Sequence, residues 1–376
     1  MNRRFFARLS LGLMVFLAAC STLEPEVTPQ AQSLPLPEQP AGVWQPYEGD
    51  SETECANGSP YEYFVNKGTV NKLVIDFQGG GACWEGGTCS LPSSDDGDVS
   101  LYRDEVDDAD LVAAQGIYNR TRAENPIKDW YHVYIPYCTG DIHIGNAVNE
   151  YTSPSGERYT VRHKGAVNAA SVLAWTFQNF TDPEQVFITG CSAGAYGAAY
   201  WTRTIKANYP DTDVKQLGDC GAGVSTDEFS DLLEENWNVK ATFPDLKFDA
   251  NAVTRTYIKT SRTYPDTLKM AQYNSLFDNI QILFYVIGSE KPAGIITNLE
   301  WSFIMRTSLA VVDALTDNFS YYISALDDND NVLDGTTHCI IGKEAFFDLE
   351  TNGVGFVGWL TDYLSGAEVE NVVTER

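Results

Sequence analysis

Ser192 lies within Gly190-Cys191-Ser192-Ala193-Gly194, after the apolar run Gln185-Val186-Phe187-Ile188-Thr189 and before an Ala/Gly-rich segment reaching Ala198 and Ala199. A serine hydroxyl becomes a useful nucleophile only when a neighbouring base takes its proton. A tight turn from strand to helix, with small residues on both sides, lifts such a hydroxyl above a sheet and sets it at a helix N-terminus. The base is then a histidine, held in turn by a carboxylate. Where this turn is used, the chain order is Ser, acid, His. Of His132, His143, His163 and His338, only His338 follows Ser192, so the order selects it.

Two neighbours support the pairing. Cys191 immediately precedes the serine and Cys339 immediately follows the histidine. Contact between Ser192 and His338 brings these cysteines toward the separation of about 4.4–6.8 Å between Cα atoms that a disulfide requires. A Cys191–Cys339 bridge is therefore expected. Acyl transfer also needs backbone N–H donors for a developing oxyanion. Gly79-Gly80-Gly81, directly after the apolar run Leu73–Phe77, resembles the Gly-rich oxyanion loop of lipases and esterases, and the N–H of Ala193 supplies a second donor. His143 is read either as a pocket residue or as a polar loop residue.

The elements that must position these groups follow from pattern. Leu73–Phe77, Trp130–Pro136 and Gln185–Thr189 read as strands, and Ala166–Phe180 as a helix stopped by Asp182-Pro183. Lys269–Tyr273 and Ile280–Ile287 are further apolar runs. Strands alternating with helices predict an α/β class: an α/β-hydrolase fold, with a mostly parallel central sheet and helices on both faces.

The N-terminal residues are read as targeting sequence, apart from the fold. Arg3, Arg4 and Arg8 precede an apolar stretch ending Leu17-Ala18-Ala19-Cys20, shorter than the roughly 20 apolar residues that span a bilayer. Residues 1–19 read as a signal peptide, and the Leu17–Cys20 ending resembles a bacterial lipoprotein-type signal, which implies that Cys20 is lipidated. Ser21, in place of Asp, points to the outer membrane of a bacterium or the cell surface. Residues 20–45, rich in Pro, Gln, Glu and Ser, read as a flexible tether. Residues 46–376, about 330 in all, fit one catalytic domain.

The formal charge is −27, and −30 once Arg3, Arg4 and Arg8 leave with the signal. That balance disfavours nucleic acid as a partner, because phosphate contacts need clustered Lys and Arg. Membrane contact is expected through the lipid anchor only. Besides Cys20 there are seven cysteines, Cys55, Cys83, Cys89, Cys138, Cys191, Cys220 and Cys339. They include no C-x-x-C pair and the histidines are scattered, so neither a metal site nor a cofactor is expected. An exported protein keeps disulfides, and the odd number leaves at least one free thiol or an intermolecular partner. The pairing of Cys55, Cys138 and Cys220 stays open. Asp327-Asp328-Asn329-Asp330-Asn331 lacks the Gly and distal Glu of a calcium loop and reads as a solvated turn.

Four blocks now carry a resemblance. Gln78-Gly79-Gly80-Gly81-Ala82-Cys83-Trp84, Tyr134-Ile135-Pro136-Tyr137-Cys138-Thr139-Gly140-Asp141-Ile142-His143-Ile144-Gly145, Gly190–Gly194 and Thr337-His338-Cys339 resemble the pectin acetylesterase/Notum family, in that order, over roughly Leu73 to Cys339. The resemblance implies an α/β-hydrolase-like serine esterase that removes acyl groups from oxygen esters. It places Gly80 and Gly81 in the oxyanion loop, Ser192 as nucleophile, and Cys83–Cys89 in a small disulfide loop. It assigns the acid to Asp278, within Tyr273–Gln281; Asp219 and Glu290 also sit near expected strand ends and stay open as alternatives. An aromatic residue is common in the family where Ala82 stands, so the acyl pocket is expected to be opened or reshaped, with Trp84 refilling part of it.

The expectation is a cofactor-free carboxylic-ester hydrolase acting through Ser192, Asp278 and His338. Its substrate is an acetylated cell-wall polysaccharide or a small ester. A tannase or feruloyl-type esterase is the alternative within enzymes, since residues 224–268 leave room for a lid. A non-catalytic surface binding protein is the alternative outside them.

Overall fold

The computed structural model describes residues 34–90, 101–325 and 336–375. The expected signal segment 1–19, Cys20 and the Asp327–Asn331 stretch lie outside the described residues. The expected tether, 20–45, is described only from Leu34, and there it lies along the fold. Gln39 Nε2 donates to the Val65 carbonyl at 2.8 Å, and the Gly42 N–H donates to the Lys67 carbonyl at 3.0 Å.

In chain order the elements are β1 (Trp44–Glu48), β2 (Glu62–Asn66), β3 (Lys72–Phe77), α1 (Ala109–Ala113), β4 (Tyr131–Ile135), β5 (Ala147–Thr152), β6 (Arg158–His163) and α2 (Gly165–Asn179). There follow β7 (Gln185–Cys191), α3 (Ala193–Asn208), β8 (Asp213–Asp219), α4 (Asp227–Trp237), α5 (Ala252–Thr263), β9 (Leu268–Ser275), α6 (Asn279–Ser289) and α7 (Ile295–Leu315). Last come β10 (Phe319–Ser324), β11 (Glu350–Thr351), β12 (Val354–Gly355), α8 (Phe356–Ser365) and β13 (Val372–Val373).

The expected strands at 73–77 and 185–189 are present and longer by one or two residues, as β3 and β7, whereas the one expected at 130–136 is trimmed at both ends to β4. Nine strands form one sheet in the order β1-β2-β4-β3-β7-β8-β9-β10-β13. Only β1 with β2 and β2 with β4 pair antiparallel; from β4 to β13 every pair is parallel. Parallel strands are buried on both faces, and alternation splits their side chains between two cores. Leu73, Ile75 and Phe77 of β3 join Val186 and Ile188 of β7 in a core shared with α2, α3, α5 and α7. Val74 and Phe187 face the other way, into a core with Trp359, Leu360 and Tyr363 of α8. Helices thus cover both faces, as the sequence predicts.

The chain order reverses around β3. From β3 the next sheet strand, β4, lies on one side, and β7 lies on the other. Such a switch opens a crevice at the carboxyl ends of the strands, where open α/β sheets bind ligands. Gly79–Gly81 follow β3, and Ser192 follows β7. Both therefore sit at that crevice.

Candidate active site

The turn at Ser192 is strained and crowded. Ser192 has φ 57° and ψ −122°, a left-handed conformation that costs a non-glycine residue energy and clusters at functional sites. Its N–H donates to the Asp219 carbonyl at the end of β8 (2.8 Å). A Cβ on Gly190 would lie 2.5 Å from the Phe77 carbonyl oxygen, and one on Gly194 only 1.8 Å away. Glycine is needed at both positions because α3 starts hard against the end of β3. Ala193 opens α3, so its N–H is among the four that a helix leaves without an internal partner.

The Gly79–Gly81 loop lies against this turn. A Cβ on Gly79 would sit 2.6 Å from the Cys191 carbonyl and 3.2 Å from Ser192 Cβ. Gly81 adopts φ 76°, and a Cβ there would strike the Leu101 carbonyl at 1.8 Å. Gln78 roots the loop. Its Oε1 accepts from the Tyr137 N–H (3.0 Å), and its Nε2 donates to the Asp107 carbonyl (2.8 Å). His143 Nε2 donates to the Gln78 carbonyl at 2.8 Å. That settles the two readings of His143: it is buried behind the loop, against Phe77 and Tyr137, rather than in the pocket. Burial lowers its pKa to about 4, so the ring stays neutral and the tautomer with Nε2–H is fixed by the carbonyl.

His338 is approached from two strands. Its Nδ1 lies 2.8 Å from both carboxylate oxygens of Asp278. Its Nε2 has no hydrogen-bond partner among the described residues, and His338 and Ser192 line the same cleft. Asp278 is fully buried and caps α6, accepting from the N–H groups of Ile280 (3.1 Å) and Gln281 (2.9 Å) and from Gln281 Nε2 (3.0 Å). Burial alone would raise its pKa; the facing imidazole and these donors outweigh it and hold the carboxyl below its ordinary range.

The alternative acids stand elsewhere. Glu290 is exposed at the end of α6 in a left-handed conformation. Ile280–Ile287 are helical, so no strand delivers Glu290 to the crevice. Asp219 is close but turned to the backbone: its Oδ2 accepts from the Ile340 and Ile341 N–H groups, each at 2.8 Å. Burial raises its pKa to about 6 against the pull of those donors. Sequence spacing marked Asp219 only as a residue ending a strand; its grip on the segment after His338 needed the tertiary structure.

Three disulfides are present among the described residues. Cys191–Cys339 joins the serine turn to the histidine segment, with Cα atoms 5.8 Å apart. Cys83–Cys89 closes the small loop after the glycines, and Cys55–Cys138 makes the third pair. Among the described residues Cys220 is the free thiol, and it is buried. Among the described residues, the Cys, His and acidic groups near enough to share an ion all involve a disulfide sulfur or the Cys220, Asp278 and His338 side chains. Oxidised sulfurs are not thiolate ligands.

Two cavities meet at Ser192. One, of ≈ 110 Å³, is mainly apolar and runs beneath α4 and α5, past Ala82, Trp84, Phe229, Leu233 and Phe284. Trp84 packs edge-on against Phe229 with ring centroids 4.7 Å apart, so the indole does border the space beside Ala82. The other, of ≈ 590 Å³, is a wider cleft lined by Gly79–Gly81, Arg103, Asp110, His338 and Lys343.

A parallel α/β sheet with a strained serine turn at its switch point, covered by helices on both faces, defines an α/β-hydrolase-like enzyme. The family model for pectinacetylesterases matches residues 47–287, and the chain belongs to that family. It is a carboxylic ester hydrolase of the carbohydrate-esterase kind. No curated protein matches the chain significantly.

Proposed function

We propose that this esterase removes acetyl groups from an acetylated cell-wall polysaccharide by serine acyl transfer through Ser192, His338 and Asp278. The observation that carries the reading is the state of His338. One nitrogen is committed to a buried carboxylate, while the other is unpartnered in the cleft that holds Ser192. A general base needs that asymmetry, because the carboxylate fixes the tautomer and leaves Nε2 to take the serine proton.

In this mechanism Ser192 Oγ attacks the ester carbonyl as His338 Nε2 accepts its proton. The Ala193 N–H and the Gly80 and Gly81 N–H groups stabilise the oxyanion. The imidazolium returns its proton to the leaving sugar hydroxyl, and water releases the acid by the same route in reverse. The narrow apolar cavity suits a short acyl group, and the wider cleft suits the sugar. Charge bears on which sugar. At −27 overall the chain repels a polyuronate at long range, a barrier that falls as salt shortens the Debye length to about 3 Å at 1 M. A neutral acetylated glycan meets no such barrier.

The aromatic lining, Trp84, Phe229 and Phe284, also favours a second reading: an aromatic acyl group, as in tannase or feruloyl-type esters. Release of acetate, ferulate and gallate from matched esters separates the two. Ser192→Ala retaining turnover on every ester, with no fluorophosphonate labelling of the wild type, sinks the mechanism altogether.

We place the enzyme outside the cytoplasm, anchored through lipid on Cys20. Three disulfides suit an oxidising compartment. Metabolic labelling with a fatty-acid probe, followed by membrane fractionation, tests it: label that persists in Cys20→Ala refutes the anchor.

A further inference from the structure

Among the described residues, the one unpaired cysteine stands beside Asp278. Cys220 follows Asp219 at the end of β8, adopts φ 58°, and is wholly buried. Its N–H donates to the Tyr273 carbonyl of β9 at 2.8 Å, which fixes the residue between two strand ends. Its Sγ accepts from the Cys339 N–H at 3.2 Å. That sulfur also forms one group, all within 4.8 Å of one another, with an Asp278 carboxylate oxygen and a His338 ring nitrogen. It borders the apolar cavity next to Ser192.

Asp219 completes the pattern. Three consecutive N–H groups after the histidine, those of Cys339, Ile340 and Ile341, are all received by the Asp219–Cys220 pair: the first by the thiol, the other two by the carboxylate. The Asp219 carbonyl receives the Ser192 N–H as well. Two adjacent residues therefore touch the serine turn and the histidine segment, and the second of them abuts the acid. The other side of the histidine is held from the loop after β9, where Phe277 and Thr336 exchange hydrogen bonds of 2.9 and 3.0 Å.

We infer that Asp219 and Cys220 are the positioning residues of this active site, with the Cys220 thiol setting the distance between the Asp278 loop and the His338 segment. The inference rests on the esterase reading. A disulfide at Cys339 limits how far the segment can stray, but one bond leaves it free to rotate. Three parallel hydrogen bonds fix its orientation. A small, polarisable sulfur can accept an N–H and fill an apolar wall together, which explains a buried free thiol at this position. Burial, reinforced by the neighbouring Asp278 and Asp219, pushes the thiol's pKa up, so the group stays protonated and adds no charge beside the acid.

The test is made on the full chain with an acetyl ester and with a fluorophosphonate, across pH. Cys220→Ala is expected to lower kcat about tenfold with KM within about twofold, the loss a misaligned base produces when binding is untouched. The acid limb of kcat should move to lower pH, because a looser contact with Asp278 stabilises the imidazolium less. Cys220→Ser, which keeps a donor and an acceptor, should recover most of both. A Cys220→Ala protein that melts lower but keeps the wild-type kcat and acid limb reduces the thiol to packing and overturns the inference. So does failure of Cys220→Ser to recover. If Cys220→Ala does not fold, Asp219→Asn serves: the same displaced limb supports the assignment and an unmoved limb overturns it. Absence of labelling in the wild type would instead defeat the esterase reading itself.

Discussion

The Nδ1 atom of His338 lies 2.8 Å from each carboxylate oxygen of Asp278, although 60 residues separate them. The acid arrives by capping α6, and the imidazole arrives on a segment tied to β8 and β9. Asp278 therefore has two duties that cannot be separated by mutation without care. Its removal loosens a helix start as well as the contact that holds the His338 imidazole.

Asp278→Asn keeps the shape of the cap and removes the charge. Its kcat is expected to fall by about 10²–10⁴-fold with KM little changed, since an amide favours the wrong imidazole tautomer. Steady-state acetate release measures it. Turnover near that of the wild type would show that His338 needs no carboxylate at this position.

Stability should depend on pH in two opposed ways. The Asp219 carboxyl is raised by burial from an ordinary 3.8 to about 6, so the folded state binds more protons than the unfolded one between those values. Its contribution falls as pH rises through that window. The Asp278 carboxyl is lowered, so its contribution is present above 3.8 and is lost as pH falls through the folded pKa. Urea midpoints taken between pH 4 and 7 should therefore vary less in Asp219→Asn than in the wild type. Parallel curves would remove Asp219 from the account.

The acyl side can be narrowed at one position. Ala82 and Trp84 both border the smaller cavity, and Ala82→Phe places a ring in the space where the proposed mechanism seats the acyl chain. The ratio of kcat/KM for butyryl over acetyl esters should drop by roughly tenfold, a typical cost for a few methylenes refused by a pocket. An unchanged ratio on aryl esters of graded chain length would move the acyl site elsewhere.

Gly81 offers a test of the proposed oxyanion loop that leaves Ser192, His338 and Asp278 untouched. A Cβ there meets the Leu101 carbonyl at 1.8 Å, on a backbone with φ 76°. Gly81→Ala must shift the loop, and kcat should fall by about 10²-fold, the scale of losing one oxyanion donor. Normal kcat in a folded variant would exclude the loop from transition-state binding.

Much of this is legible in the amino-acid sequence alone. The strand at 185–189, the small residues around Ser192 and the single later histidine are local facts, and local facts survive folding because strand and turn propensities act over a few residues. The Cys191–Cys339 bridge was legible for the same reason, since each cysteine adjoins a residue whose position chemistry dictates. The acid was narrowed to three candidates, because a carboxylate at a strand end looks alike whether it faces an imidazole or a backbone.

What only the tertiary structure decided is where those carboxylates point. Ile280–Ile287 is apolar in either conformation; in the fold it is a helix packed against α7 and Phe229, which seats Asp278 at the helix start and sends Glu290 to the surface. Asp219 turns instead to the amides of residues 340 and 341, and Cys220 joins it because the odd sulfur finds an N–H rather than another sulfur. These are meetings of segments more than a hundred residues apart, fixed by sheet order and close packing, and no short stretch of sequence encodes them.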